Sequence, residues 1–341
     1  MRGAGAADRA LHRAVVALID VGARRLRDAP RLLILRALGL GDLLTAVPAL
    51  RVLRDRYPHH QRVLAAPAGL APLVALLRGA VDAIADVDFR HGVGALPPEL
   101  CRPDVAVNLH GCGPASHRAL QALSPGTLVA FANDAVGHDG PAWHPDEHER
   151  TRWCRLLDAP DRADDLRLPV PSAAVADGVR GAAVLHPGAA APARRWPIDR
   201  WSAVARHEVR RGHDVIVTGG PGEDELAKVV ATGADLDGRS VIAGRTDLAE
   251  LATIVAAAGR VVCGDTGVAH LASAYATPSV VLFGPVPPTR WGPPASGPHV
   301  ALWAGRTGDP HARDPDPGLL AVTVADVTAA LDTLGAAGPR S

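Results

Sequence analysis

Five short segments carry the side chains that could do chemistry. The first is Leu38-Gly39-Leu40-Gly41-Asp42. Its two glycines permit a tight turn and close approach of a ligand. Asp42 falls at the start of a helix, where a carboxylate can cap the helix or take a proton from a hydroxyl. The second is His186-Pro187-Gly188-Ala189, followed by Arg194-Arg195-Trp196-Pro197. Bare backbone at Gly188 and two guanidinium groups suit a phosphate clamp. The same residues suit a solvated basic loop with Trp196 as a core plug. In the third, Thr218-Gly219-Gly220-Pro221-Gly222-Glu223, the glycine turn can admit a ribose or base. Glu223 can accept two hydroxyl hydrogen bonds there, or simply favour a helix dipole.

The fourth segment, Cys263-Gly264-Asp265-Thr266-Gly267-Val268-Ala269-His270, is the most specific. Asp265 and Thr266 stand where a helix begins, and Gly267 leaves the first amides unobstructed. His270 follows one turn later on the same face. Bare amides at a helix N-terminus attract anions, although a capped helix with a packed histidine would account for each residue singly. The fifth, Phe283 to Pro293, is a Pro/Gly loop that either walls a cleft or is a surface crossover. No complete dinucleotide fingerprint follows the first strand, since Asp42-Leu43-Leu44 stands where a third glycine would be. No Cys/His cluster has zinc spacing and no DxD-type metal site is present, so no metal and no cofactor are expected.

Alternating strand and helix patterns position these segments. Short apolar runs such as Arg31–Arg36, Asp104–Leu109, Ala182–His186, Arg260–Cys263 and Ser279–Phe283 alternate with helical stretches. That alternation predicts α/β architecture with parallel sheets covered on both faces. Pro160, Pro169 and Pro171 mark a linker. The expected organisation is an N-terminal basic amphipathic extension over 1–30, a Rossmann-like domain over 31–158, a linker over 159–181, a second Rossmann-like domain over 182–322, and a C-terminal helix and tail over 323–341. The two domains are expected to face each other across a cleft, with the last helix packed back across the hinge.

The chain has 341 residues, with 36 basic and 36 acidic side chains, and 48 % are hydrophobic. Enough apolar surface exists for a core, which excludes disorder of the whole chain. The zero net charge gives no field toward nucleic acid, and none is expected as a partner. Lys228 is the only lysine, so cationic sites are built from planar, bidentate guanidinium groups. The four cysteines read as free thiols of a reducing compartment, hence a cytoplasmic protein. Residues 1–30 lack a signal-peptide cleavage pattern. They read as a helix packed on the first domain or as a peripheral anchor on the cytoplasmic face of the inner membrane. A monomer is expected.

Together the segments resemble glycosyltransferase family 9, the ADP-heptose:lipopolysaccharide heptosyltransferase family with the GT-B fold. The likeness rests on RLLILRALGLGDLLTAVPALRVLR, HPGAAAPARRWPIDRWSAVA, VIVTGGPGEDELA and CGDTGVAHLASAYATPSVVLFGPVPPTRWGP, in order over about 31–294. It implies inverting transfer of a heptose-like sugar from a nucleotide diphosphate sugar to a hydroxyl of a glycan or lipid-linked glycan. The donor would sit on the C-terminal domain and the acceptor on the N-terminal one. Asp42 matches the catalytic aspartate of the family's GD motif. Asp265, Thr266, Gly267 and His270 match its D-T/S-G-x-x-H motif, which contacts diphosphate and sugar. Glu223 matches an acidic nucleotide contact, and Arg194 stands where lysine is usual. Ala191 replaces a common Ser or Thr. Gly188, Arg195 and Gly219 complete the donor set, and Gly41, His110 and Ser116 are assigned to the acceptor side. The alternatives are a non-catalytic nucleotide-sugar-binding protein and a GT-B-like UDP-sugar 2-epimerase.

Overall fold

The computed structural model describes residues 29–77, 79–171 and 178–336. The helix expected within residues 1–28 lies outside them. The chain divides into two compact units, Met1–Asp165 and Leu166–Ser341.

In the first unit, β1 (Arg31–Leu35) is buried from its second residue on. A continuous apolar run is what a strand covered on both faces requires. Helix α1 (Leu40–Arg56) follows and buries Leu43, Val47, Leu50 and Leu53 among others. Strands β2 (Gln61–Ala66), β3 (Ala83–Asp86), β4 (Val105–Asn108) and β5 (Thr127–Val129) complete an all-parallel sheet in the order β3-β2-β1-β4-β5. Helix α2 (Ala115–Gln121) leaves β4, and α3 (Glu149–Leu156) packs on α1. The stretch 68–77 is a run of single turns: Ala68–Leu70, Ala71–Val74 and Ala75–Leu77. Strand β3, only four residues long, carries too short a pattern to be seen beforehand.

The second unit runs β6 (Ala183–His186), α4 (Ile198–Arg210), β7 (Val215–Val217), α5 (Asp224–Gly233), α6 (Leu248–Ala257), β8 (Arg260–Gly264), α7 (Gly267–Tyr275), β9 (Ser279–Phe283), β10 (His299–Trp303) and α8 (Val324–Ala336). Its sheet is also all parallel, in the order β10-β9-β8-β6-β7. Beyond β7 a single bridge joins Val241 to Val217. Strand β10 is an addition that its half-exposed sequence did not announce. Trp196 and Trp201 meet edge to face at 5.4 Å in the core. The Trp196 indole donates to the carbonyl of Val322 at 3.0 Å. Helix α8 sends Val327, Ala330 and Leu331 into this same core, so the final helix is part of the second unit's own packing.

Strand order reverses between β1 and β4 in one sheet and between β6 and β8 in the other. At such switch points the outgoing loops part and leave a crevice beyond the carboxyl ends. The turns and helix starts that follow these four strands carry Asp42, His110, Gly188 with Arg194, and Asp265 to His270.

Leu331 is fully buried. Leu331→Ala is expected to cost about 2–5 kcal/mol, read as a lower urea midpoint; an unchanged midpoint would mean that α8 is not part of the core.

Candidate active site

Beyond β1 the chain turns at Gly39, the N-cap of α1. Asp42 is therefore the third helical residue rather than the cap itself. Its Oδ2 accepts the Gly39 amide at 3.2 Å, which fixes the turn. Its Oδ1 pairs with the Arg36 guanidinium at 3.2 Å. The two partners differ sharply in exposure: the Arg36 side chain is 1 % exposed and that of Asp42 is 28 %. Arg36 also donates to the carbonyls of Asp42 and Leu109, at 3.0 and 2.6 Å. Those bonds tie the ends of β1 and β4 to the start of α1. A buried cation is tolerable only when paired and hydrogen-bonded on all sides, so the turn that carries Asp42 is held rigidly from behind. Arg36 was not among the residues singled out from sequence. Its signal was a lone arginine closing an apolar strand.

His110 lies beyond β4. Its amide donates to Asn108 Oδ1 at 3.0 Å, and its ring meets Phe89 edge to face at 5.7 Å. Burial pushes its imidazole down to about 4; the Arg36 charge adds to the shift and Asp42 opposes it. It is thus neutral near pH 7, within reach of both charges, and its buried Nδ1 has no hydrogen-bond partner. Gly41 is in the first turn of α1. Ser116 is placed differently from the other two acceptor-side residues. It is 3 % exposed, and its hydroxyl accepts from Asn108 at 2.9 Å. Asn108 also contacts His117 at 3.1 Å, whose other ring nitrogen meets the Phe131 carbonyl at 2.8 Å. Ser116 thus supports the loop from within.

In the second unit, Glu223 links two loops. Its Oε2 accepts the Gly220 amide at 2.7 Å. A Cβ on Gly188 would stand 2.0 Å from that oxygen, and one on Gly219 would press the Glu223 side chain at 3.0 Å. Only glycine leaves room for the carboxylate at Gly188. His186 bonds Thr218 Oγ1 through Nδ1 at 3.0 Å. Burial holds its imidazole below the usual range, opposed by Glu223.

Arg194 and Arg195 diverge. Arg194 reaches the carbonyl of Asp265 at 3.5 Å, at the start of α7. Its buried Nε has no hydrogen-bond partner. Arg195 turns back on its own loop and donates to the Ala189 carbonyl at 3.0 Å. Thr266 is the N-cap of α7 in extended conformation, yet its side chain makes no capping bond. Its Oγ1 is buried without a partner. With Gly267 next, the first turn of α7 has no side-chain cap; of its amides, that of Ala269 donates to the Thr266 carbonyl at 3.1 Å. Asp265 and His270 are buried, and the His270 ring lies 5.9 Å from that of Trp291. Trp291 comes from the fifth segment, whose chain makes a single turn at Pro288–Trp291. The loop after β10 adds a clamp missed in the sequence. Ala193 donates to Ala312 at 3.3 Å and accepts from Asp316 at 3.1 Å. This holds the turn that aims Arg194.

Residues 157–317 match the profile of glycosyltransferase family 9 (heptosyltransferase). Lipopolysaccharide heptosyltransferase 3 of Escherichia coli is 32 % identical over 157 residues, covering 44 % of this chain and 46 % of that protein. The chain thus aligns with about half the length of this curated relative. Among solved structures, the family 9 glycosyltransferase of Veillonella parvula superposes with a TM-score of 0.72 at 18 % identity, covering 92 % of this chain and all of that one. The heptosyltransferase WaaC of E. coli with ADP gives 0.65 at 19 %, covering 89 % and 99 %. The fold is GT-B, two Rossmann-like parallel sheets with flanking helices. The E. coli heptosyltransferase TibC, described as iron-containing and in complex with ADP-D-beta-D-heptose, gives 0.59 at 16 %, covering 92 % and 78 %. Among the described residues of this chain, no group of three His, Cys, Asp or Glu is placed to hold a metal ion, so they do not fit such a group.

The neutral histidines set a pH dependence. His110 titrates near 4 when folded and near 6.5 when unfolded, and burial lowers His117 and His186 as well. Between these values the unfolded chain binds protons that the folded one does not. Stability is therefore expected to fall as pH drops from about 6.5 toward 4. Urea midpoints measured across that range should decline, and His110→Gln should flatten part of the slope; a flat profile in the parent would contradict the assignment.

Proposed function

We propose that this protein is an inverting glycosyltransferase. It moves a heptose-like sugar from a nucleotide diphosphate sugar to a hydroxyl of a glycan or lipid-linked glycan. The observation that carries this reading is Asp42, a partly exposed carboxylate at a switch point, held from behind by a buried guanidinium. Asp42 removes the proton as the acceptor oxygen attacks the anomeric carbon. Attack from the face opposite the leaving group inverts that carbon. As the bond to the diphosphate breaks, the sugar gains oxocarbenium character and negative charge grows on the leaving phosphate.

The second unit supplies the groups that meet this charge. They are the uncapped amides at Gly267, the unpartnered Thr266 hydroxyl, and Arg194 with an Nε still to satisfy. Preorganised donors of this kind stabilise charge where it develops. Glu223, seated against Gly188 and bonded to Gly220, presents its other oxygen to nucleotide hydroxyls. Asp265 is a poor phosphate contact and a good holder of a sugar hydroxyl or of the turn. His110, neutral and beside Asp42, offers Nδ1 to the acceptor. None of these steps calls on a metal ion. ADP, and ADP-D-beta-D-heptose, are the compounds named for the similar proteins WaaC and TibC. An adenine nucleotide is accordingly the first donor to test, and a lipopolysaccharide-type glycan the first acceptor.

ADP at one hundred times its dissociation constant is expected to stabilise the protein by about 2.7 kcal/mol, measured by thermal shift against UDP and GDP. No shift with any nucleoside diphosphate would overturn the donor assignment. Asp42→Asn keeps an acceptor for the Gly39 amide but replaces the charge facing Arg36. Transfer is expected to fall by ~10²–10⁴, with ADP affinity within about twofold. A folded Asp42→Asn variant at the parent rate would leave Asp42 as a turn residue only.

A further inference from the structure

Arg36 is shared. Its Nη2 carries two hydrogens but faces three acceptors: Asp42 Oδ1 at 3.2 Å, Thr45 Oγ1 at 3.3 Å and Glu149 Oε2 at 3.3 Å. All three distances are at the long end for such bonds. Glu149 comes from the first turn of α3, more than a hundred residues further along the chain. It is 6 % exposed, and both its oxygens are held. Oε2 accepts the indole N–H of Trp153 at 2.8 Å, and Oε1 pairs with Arg152. Arg152 is fixed in turn by the carbonyls of His144, Pro145 and Glu147 at 2.9, 3.1 and 2.9 Å. Each guanidinium lies over a tryptophan, Arg36 over Trp153 at 4.7 Å and Arg152 over Trp143 at 4.1 Å. Cation–π contact of this kind adds to the immobilisation.

We propose that Glu149 is a positioning residue for Asp42. Anchored by Arg152 and Trp153, it draws the Arg36 guanidinium toward α3 and prevents it from closing fully on the Asp42 carboxylate. Asp42 is then steered by one weak bond and keeps its accessible oxygen lone pairs for the acceptor proton. With Glu149 neutral, Arg36 has one anionic partner left in place of two and shifts onto Asp42. The inference rests on the reading of Asp42 as the base.

The test is a double-mutant cycle. ADP release from ADP-D-beta-D-heptose is followed with a delipidated lipopolysaccharide-core oligosaccharide as acceptor, for the parent, Glu149→Gln, Asp42→Asn and the double variant. Glu149→Gln is expected to lower kcat about tenfold with the donor KM within about twofold, a size typical of groups coupled in one network. In the Asp42→Asn background it should lower the residual rate no further. Trp153→Phe keeps an aromatic ring near Arg36, removes the N–H that holds Glu149 and trims the buried indole, so a smaller loss with the same dependence on Asp42 is expected. It carries the cycle if Glu149→Gln does not fold. An equal loss in both backgrounds, or no loss in either, overturns the proposal and leaves Glu149 as a structural ion pair. An Asp42→Asn single variant at the parent rate overturns the base reading itself, and the proposal with it.

Discussion

A parallel sheet sends every strand the same way, so every connection toward the next helix leaves from one edge. Both sheets obey this constraint, and their chemistry-bearing residues follow from it. Asp42 and His110 leave neighbouring strands β1 and β4; Gly188 and Asp265 leave neighbouring strands β6 and β8. Residues far apart in sequence thus become neighbours with no special contact to draw them together. The strands need only be apolar and short. The candidate chemical groups gather beyond their carboxyl ends, where glycines let the chain turn.

Within the first unit, one charge organises that edge. Arg36 closes β1 and is buried, so each of its nitrogens has to find an acceptor inside the protein. It finds them in Leu109, in Asp42 and Thr45 of α1, and in Glu149, which belong to three separate stretches of chain. Removing one partner of such a network leaves charge uncompensated, a loss of about 3–5 kcal/mol where it has been measured for buried pairs. The second unit works differently. Its edge is shaped by close packing, with Glu223 lodged where only Gly188 leaves space and with polar atoms of Thr266 and Arg194 left unsatisfied. One edge is electrostatically closed around its carboxylate, and the other presents open donors to an anion.

Much of this was legible in the sequence because it depends on local pattern. The apolar runs at Arg31–Leu35 and Ser279–Phe283, and the glycines bracketing Asp42 and Gly267, are signals that a few consecutive residues carry. The elements that escaped notice have weaker local signals. Strand β3 is four residues long, and β10 carries only the short run Val300 to Trp303 and is half exposed. The partners that matter most at Asp42 were invisible for another reason. Glu149 and Trp153 read as ordinary members of a polar helix, and only the packing of α3 on α1 brings them to Arg36. Ser116 shows the converse. Its position near a strand end suggested a surface role, whereas Asn108, fully buried beneath it, draws its hydroxyl inward.

In the proposed reaction Asp42 is the base and donors at the start of α7 meet the leaving phosphate, which specifies a single displacement at the anomeric carbon. The stereochemistry of the product reads that out most directly. Proton NMR of the first product formed from ADP-D-beta-D-heptose, with the glycan acceptor or with water, reports the configuration before any mutarotation. A single inversion gives the α anomer. A β product would mean two displacements or a retained face, and would contradict the role given to Asp42.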